Sequence, residues 1–242
     1  RIKGNLYFAP LLFIICFLLF YYLPEIDLVV SRWFYSERTG FYLNDLFLVL
    51  LSYKVFADIH WLFFFGLLWL LFASWFWQRS SEKLLRRKIM YMLLVLILGP
   101  GLLVSALKDN MGRPRPSQVH EFGGSAQCQP VFVLSEECDR NCSFVSGHAS
   151  IAFYLVCLAW VFNGRYWLWA GITLGALAGL GRIIQGAHFL SDVVFSFWVI
   201  YAAAEMHDHL DHLLRDHLTR TLIHLHHHRL TLMMKIMNFT SF

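Results

Sequence analysis

Long apolar runs alternate with polar connectors along this chain of 242 residues. Several runs approach the roughly 20 residues that a helix needs to cross a bilayer. We find neither an internal repeat nor a composition shift that would mark a second domain. The pattern predicts an all-α, six-helix membrane bundle that forms a single domain over residues 1–242. The predicted spans cover residues 8–23, 61–77, 89–107, 148–163, 166–184 and 188–206.

Three connecting segments need separate interpretation. Residues 24–45 are polar and aromatic and form a predicted connector. The apolar stretch 46–56 is too short to span a bilayer, so it predicts an interfacial helix or the beginning of the next span. Residues 108–147 form the longest connector and contain Gly, Pro and Ser throughout, which predicts a loop.

Composition supports insertion into a membrane. Hydrophobic residues make up 58% of the chain and charged residues only 15%, with a mean hydropathy of +0.54. A soluble protein could not hide this much apolar surface. The net charge of +4 is modest, and no basic face with interleaved aromatic residues occurs outside the membrane-flanking segments. We therefore expect no nucleic-acid partner.

The distribution of Lys and Arg orients the predicted spans. Five of them lie between positions 79 and 88, and Arg1 and Lys3 precede the first apolar run. The positive-inside rule makes these segments cytoplasmic and predicts that both chain termini are cytoplasmic. The first run has no small-residue cleavage site after it, so we interpret it as a signal anchor. The loop 108–147 and the junction of spans five and six then share the outer surface.

Two polar segments that lie at this predicted outer surface have the residues of an anion site. Lys108 and Arg115 stand where a helix gives way to a loop, and both side chains bind phosphate oxygens well. The alternative is a pair of snorkelling cations. Ser146, Gly147 and His148 open span four, where exposed N–H groups attract anions. The alternative there is an N-cap serine followed by a structural histidine.

A third segment contains Arg182, His188 and Asp192. His188 and Asp192 are spaced i, i+4 and would lie on one helical face. The carboxylate could accept the Nδ1 proton and leave Nε2 unprotonated and nucleophilic. Charged side chains at membrane depth indicate a functional site, whereas the alternative is a structural His–Asp pair beside an arginine.

The ordered motifs Lys-x6-Arg-Pro, Ser-Gly-His and Arg-x5-His-x3-Asp resemble those of the type 2 phosphatidic acid phosphatase superfamily. This superfamily also includes bacterial acid phosphatases and vanadium haloperoxidases. The motifs cover residues 108–192, and the six-span layout extends the resemblance over most of the chain. Val145 replaces the usual Pro before Ser-Gly-His, and Gly181 replaces the usual Ser before the motif Arg. Neither residue has to react, so these departures concern fine geometry.

The resemblance implies a phosphatase that uses no metal and no cofactor. His188 would attack phosphorus and form a phosphohistidine, and Asp192 would orient it. His148 would donate a proton to the leaving oxygen and then activate water. The phosphate oxygens would be bound by Lys108, Arg115, Ser146, Gly147 and Arg182.

A finer resemblance implies the substrate. The Arg-Pro-Arg-Pro run and the Leu-Pro-Glu-Ile-Asp-Leu segment after span one are similar to the bacterial branch of lipid A 1- and 4′-phosphatases. The substrate would be a lipid phosphate, and the site would lie on the periplasmic face of the inner membrane. Undecaprenyl pyrophosphate and phosphatidylglycerophosphate phosphatases are alternatives within the superfamily. A transporter with an intramembrane charged site and a haloperoxidase-like enzyme are alternatives of other classes.

Cysteines and histidines add two further predictions. Cys128, Cys138 and Cys142 share the long loop, which would face an oxidising compartment. We predict a Cys138–Cys142 disulfide, and three free thiols are the alternative.

Eight of the 12 histidines lie at 207–228. Leucines at helical spacing predict that the His-rich tail 207–242 is an amphipathic helix on the inner membrane surface, with weak metal binding as the alternative.

Overall fold

A computed structural model describes residues 8–76 and 82–206. These residues are mostly helical, and β1 (Tyr35–Ser36) and β2 (Gly40–Phe41) pair as a small antiparallel hairpin. The predicted tail helix and the first residues of the basic segment lie outside the described residues. The helices are α1 (Ala9–Tyr22), α2 (Glu25–Arg32), α3 (Phe47–Ala73), α4 (Glu82–Leu96), α5 (Val104–Met111), α6 (Gly147–Phe153), α7 (Leu158–Phe162), α8 (Arg165–Ile184) and α9 (190–206).

Three helices in the described part of the chain are long and apolar enough to cross a membrane. They are α3, the span Glu82–Gln118 that includes α4 and α5, and α8, and a bent pair formed by α1 and α2 would make a fourth. The 80° bend occurs around Pro24, which lacks a backbone N–H and interrupts the helix. The apolar helix Gly147–Phe162 is shorter, and α9 is described only as far as residue 206. The count of six spans therefore stays a prediction.

Helix α3 is continuous for 27 residues and unites the short apolar stretch 46–56 with the predicted second span. Asp58 and His60 interrupt the apolar run, but neither residue breaks a helix. The helix ends at Ala73, earlier than the predicted residue 77. Only 6% of its most apolar window is buried, which is the exposure expected of a helix that faces lipid.

The helix that precedes the long loop is also longer than predicted. It continues from α4 through a π-helical segment, Ile97–Leu103, into α5, so Lys108 lies in the last turn of a helix and not in a loop. Gly112 ends α5 with a φ of 62°. A Cβ at this position would lie 1.6 Å from the backbone oxygen of Ser135, so the turn requires glycine.

Helix α8 packs against α6 and α9 at glycine positions. A Cβ at Gly175 would lie 2.0 Å from the ring of Phe153, and one at Gly179 would lie 2.2 Å from Val193. Small residues allow such close approach between membrane helices. The packing brings the carboxyl end of α8 to the amino ends of α6 and α9, where the predicted site residues lie.

Candidate active site

Backbone hydrogen bonds join the three polar segments at one end of the bundle. The N–H of Ser146 donates to the carbonyl oxygen of Asp192 at 3.2 Å and connects the second segment to the third. The N–H of Ser117 donates to the carbonyl oxygen of Gly186 at 2.9 Å and connects the first segment to the third. The structure thus brings together the residues that the sequence analysis grouped as one site.

His188 and Asp192 lie at the beginning of α9. Because the helix begins at residue 190, His188 precedes it, and the predicted placement of both residues on one helical face is wrong. The carboxylate of Asp192 instead accepts the backbone N–H of Phe189 at 2.8 Å, as the third helical residue of a capping box does. The same oxygen lies 3.6 Å from Nδ1 of His188. This distance exceeds a normal hydrogen bond, and such catalytic contacts often tighten only when substrate binds.

Ser143 lies beside both of these side chains. Its hydroxyl donates to Oδ2 of Asp192, and its Oγ is 3.5 Å from Nδ1 of His188. His188 is 2% exposed, and this burial lowers the pKa of His188 to about 4, while Asp192 acts in the opposite direction. The imidazole is therefore neutral near neutral pH, which is the form that a nucleophile needs.

Arg113 is a buried cation that the sequence analysis did not select. Its Nη1 donates to Oδ1 of Asp192 at 2.6 Å and to Oγ of Ser191 at 2.8 Å, and its Nη2 donates to Oδ2 of Asp27 at 2.7 Å. Arg113 and Asp27 are 2% and 1% exposed. A buried charge requires a partner, but only the fold reveals that these two residues and Asp192 meet.

Lys108 and Arg115 contact neutral oxygen atoms of one loop. Nζ of Lys108 donates to Oδ1 of Asn141 at 3.2 Å and to the carbonyl oxygen of Cys142 at 2.8 Å. Nη2 of Arg115 donates to the carbonyl oxygen of Asn141 at 2.9 Å. A Cβ at Gly147 would lie 3.6 Å from Cε of Lys108, so this cation lies against the start of α6. Neutral partners leave both charges available for an anion.

The start of α6 combines features of both sequence interpretations. Ser146 is an N-cap residue whose Oγ accepts the N–H of Ala149 at 3.4 Å, as the structural alternative predicted. His148 is not the satisfied histidine of that alternative. Its Nε2 is buried and has no hydrogen-bond partner among the described residues. A buried polar atom without a partner is costly, and a bound ligand would supply one.

Arg182 supplies a third cation from the last turn of α8. Its Nη1 donates to Oε1 of Gln185, whereas its buried Nε lacks a partner among the described residues. Lys108 experiences electrostatic repulsion from both Arg115 and Arg182, so the three cations share one region. Three positive charges that lie together favour a phosphate ligand.

The predicted Cys138–Cys142 disulfide is confirmed, and Cys128 is a free thiol. Burial raises the pKa of Cys128 to about 11, so this thiol stays protonated and unreactive. The disulfide closes the short loop that carries Asn141. Within residues 8–76 and 82–206, no group of three or more His, Cys, Asp or Glu side chains is arranged to hold a metal ion. Metal-independent chemistry remains a prediction.

Comparison with known proteins identifies the family. The model of the PAP2 superfamily matches residues 88–206. A lipid A 4′-phosphatase of Francisella tularensis subsp. novicida (strain U112) is 35% identical over 212 residues, which cover 78% of this chain and 92% of that protein. The chain belongs to the PAP2 superfamily. A lipid A 4′-phosphatase of Rhizobium leguminosarum is 40% identical to this PAP2 protein over 124 residues, 48% of this chain and 53% of the relative. No solved structure matches the chain.

The PAP2 assignment confirms the resemblance that rested on three short motifs. The family match begins within α4 at residue 88, extends to residue 206 of α9 and includes every predicted site residue. The apolar helices and the bacterial relatives identify a bacterial membrane phosphatase of the lipid A phosphatase branch. The transporter and haloperoxidase interpretations gain no support from these relatives.

Proposed function

We propose that this PAP2 phosphatase removes the 4′-phosphate of lipid A at the periplasmic face of the bacterial inner membrane. The names of the relatives suggest the 4′ position. The observation that carries the proposal is the arrangement at the end of the bundle. A buried, neutral His188 lies beside Asp192, in the region that also holds Lys108, Arg115 and Arg182.

In the first step, Nε2 of His188 attacks phosphorus in line. The new P–N bond forms as the bond between phosphorus and the sugar oxygen breaks. His148, protonated in the complex with the phosphate dianion, donates its proton to that departing oxygen, and Asp192 stabilises the positive charge that develops on the nucleophile. Charge on the phosphoryl oxygens is stabilised by Lys108, Arg115, Arg182, the Ser146 hydroxyl and the Gly147 N–H.

In the second step, water replaces the histidine. His148, now deprotonated, accepts a proton from the attacking water, and the P–N bond breaks to release inorganic phosphate and neutral His188. Three cations would supply the charge neutralisation that metal ions provide in many phosphoryl-transfer enzymes. The cycle returns both histidines to their starting protonation states.

The proposal includes a single domain with six membrane spans and two cytoplasmic termini. It also includes a His-rich tail, residues 207–242, that lies on the inner membrane surface. The site residues lie at the carboxyl ends of α5 and α8 and at the amino ends of α6 and α9. Consecutive antiparallel spans would bring these four helix ends to one membrane surface. A lipid phosphate could then reach the cations from the outer leaflet without crossing the bilayer.

A substrate panel tests the proposal. Purified protein is incubated with bisphosphorylated lipid A, its two monophosphorylated forms, undecaprenyl pyrophosphate and phosphatidylglycerophosphate, and released phosphate is measured. We expect release from the bisphosphate and the 4′-monophosphate, but not from the 1-monophosphate. Faster release from either of the other lipids would reassign the substrate. His188→Ala serves as the inactive control.

A further inference from the structure

Tyr53 of α3 contacts two predicted site residues through its aromatic ring. Its ring stacks on the imidazole of His148, with a centroid distance of 4.9 Å and an interplanar angle of 22°. Cζ of Arg182 lies 4.8 Å from the centroid of the same ring. None of the three sequence motifs lies on α3, and Tyr53 connects this helix to the site.

Both partners of Tyr53 retain nitrogen atoms without hydrogen bonds. Nε2 of His148 and Nε of Arg182 are buried and lack partners among the described residues. A proton donor must present a ring nitrogen to the leaving oxygen, and a protein hydrogen bond to that atom would compete with the substrate. Stacking on an aromatic face orients an imidazole or a guanidinium and leaves its nitrogen atoms free.

We propose that Tyr53 is a positioning residue that orients the His148 imidazole toward the leaving oxygen of the substrate. The inference rests on the proposed function, because it requires His148 to be the proton donor. The aromatic face carries the role, and the phenol hydroxyl is dispensable. Phenylalanine should therefore substitute for Tyr53 without loss, whereas leucine, which is apolar but smaller and has no π face, should not.

The identity of the leaving group makes the role measurable. The sugar oxygen of lipid A is a poor leaving group and depends on protonation, whereas p-nitrophenolate departs without it. With enzyme in excess, single-turnover release of the leaving group reports only the first step. We expect Tyr53→Leu to slow this step roughly ten- to hundredfold for lipid A and less than about threefold for p-nitrophenyl phosphate.

The variants Tyr53→Phe and Tyr166→Leu are the matched controls. Tyr166 is 75% exposed on α8, and we expect both controls to keep wild-type rates on both substrates. Equal losses on the two substrates in Tyr53→Leu, or an unchanged lipid A rate, would overturn the inference. His148→Ala distinguishes a failure of the Tyr53 role from a failure of the proposed mechanism. If His148→Ala shows the leaving-group difference and Tyr53→Leu does not, only the role of Tyr53 fails. If His148→Ala lacks the difference, the proposed mechanism fails with it.

Discussion

The guanidinium of Arg113 forms a 2.6 Å salt bridge with the carboxylate of Asp192, and both side chains are almost fully buried. Asp27, in the helix that follows the first apolar run, binds the same guanidinium at 2.7 Å. The carboxylate beside the proposed nucleophile is therefore held by a charge network that reaches the amino-terminal part of the chain. Arg115, only two residues along the chain, contacts Asn141 and remains available to an anion. Two neighbouring arginines thus have different surroundings, and we expect different roles.

Substitution of Arg113 should destabilise the protein. Arg113→Gln leaves Asp27 and Asp192 as buried carboxylates without their cation, and removing one partner of a buried ion pair costs about 3–5 kcal/mol. The measurement is the free energy of unfolding in detergent, with thermal unfolding as a second readout. A variant that keeps wild-type stability would contradict the structural role assigned to this network.

The matched variant Arg115→Gln should keep the stability of the protein but lose activity. It removes a cation whose partner in the described part of the chain is the neutral carbonyl oxygen of Asn141, so stability should change by less than about 1 kcal/mol. The rate should nevertheless fall by about two to three orders of magnitude in kcat/KM, because the variant loses charge stabilisation in the transition state. Unchanged kcat/KM with purified lipid substrate would remove Arg115 from the phosphate site.

A phosphohistidine intermediate should be detectable on His188. His148→Ala lacks the base for the second step, so phosphoenzyme should accumulate when the substrate has a good leaving group. The experiment uses radiolabelled p-nitrophenyl phosphate and measures the label that stays on the protein after denaturation at neutral or alkaline pH. The double variant His148→Ala/His188→Ala should retain no label. Label that remains on the double variant would show that a residue other than His188 is the nucleophile.

The sequence predicts the site residues better than the residues that hold them in position. Lys108, Arg115, His148, His188 and Asp192 are reactive residue types at fixed spacings, and the structure brings them together. Asp27, Arg113, Ser143 and Tyr53 carry no such spacing signal, because their partners lie far away in the chain. Asp27 and Ser191 illustrate the limit, since 164 positions separate two residues that share a hydrogen bond.

Helix boundaries show a second limit of the pattern. Hydrophobicity indicates which residues face lipid, but backbone chemistry decides where a helix stops. Asp58 and His60 interrupt the apolar run, and yet α3 continues through them. Gly112 and Pro24 do interrupt helices, because one adopts a left-handed conformation and the other lacks an N–H.

Chelators should leave the activity intact. Lys108, Arg115 and Arg182 supply the positive charge in the proposed mechanism, so no divalent cation is needed. The measurement is phosphate release from lipid A after dialysis against EDTA, with and without added Mg²⁺ or Zn²⁺. Loss of activity that returns with one of these ions would show that the cations alone do not suffice. The His-rich tail could bind an added metal, so a variant truncated before residue 207 is the control.

Opening the Cys138–Cys142 disulfide should weaken phosphate binding. The loop that it closes contains Asn141, whose oxygen atoms accept hydrogen bonds from Lys108 and Arg115. The backbone carbonyl oxygen of Cys142 accepts a further hydrogen bond from Lys108. Displacement of two cations should raise KM for lipid A and Ki for inorganic phosphate roughly tenfold in the double variant Cys138→Ser/Cys142→Ser. Cys128→Ser, which removes a free thiol of the same loop, should leave both constants unchanged. Equal constants in all three proteins would show that the disulfide does not position the cations.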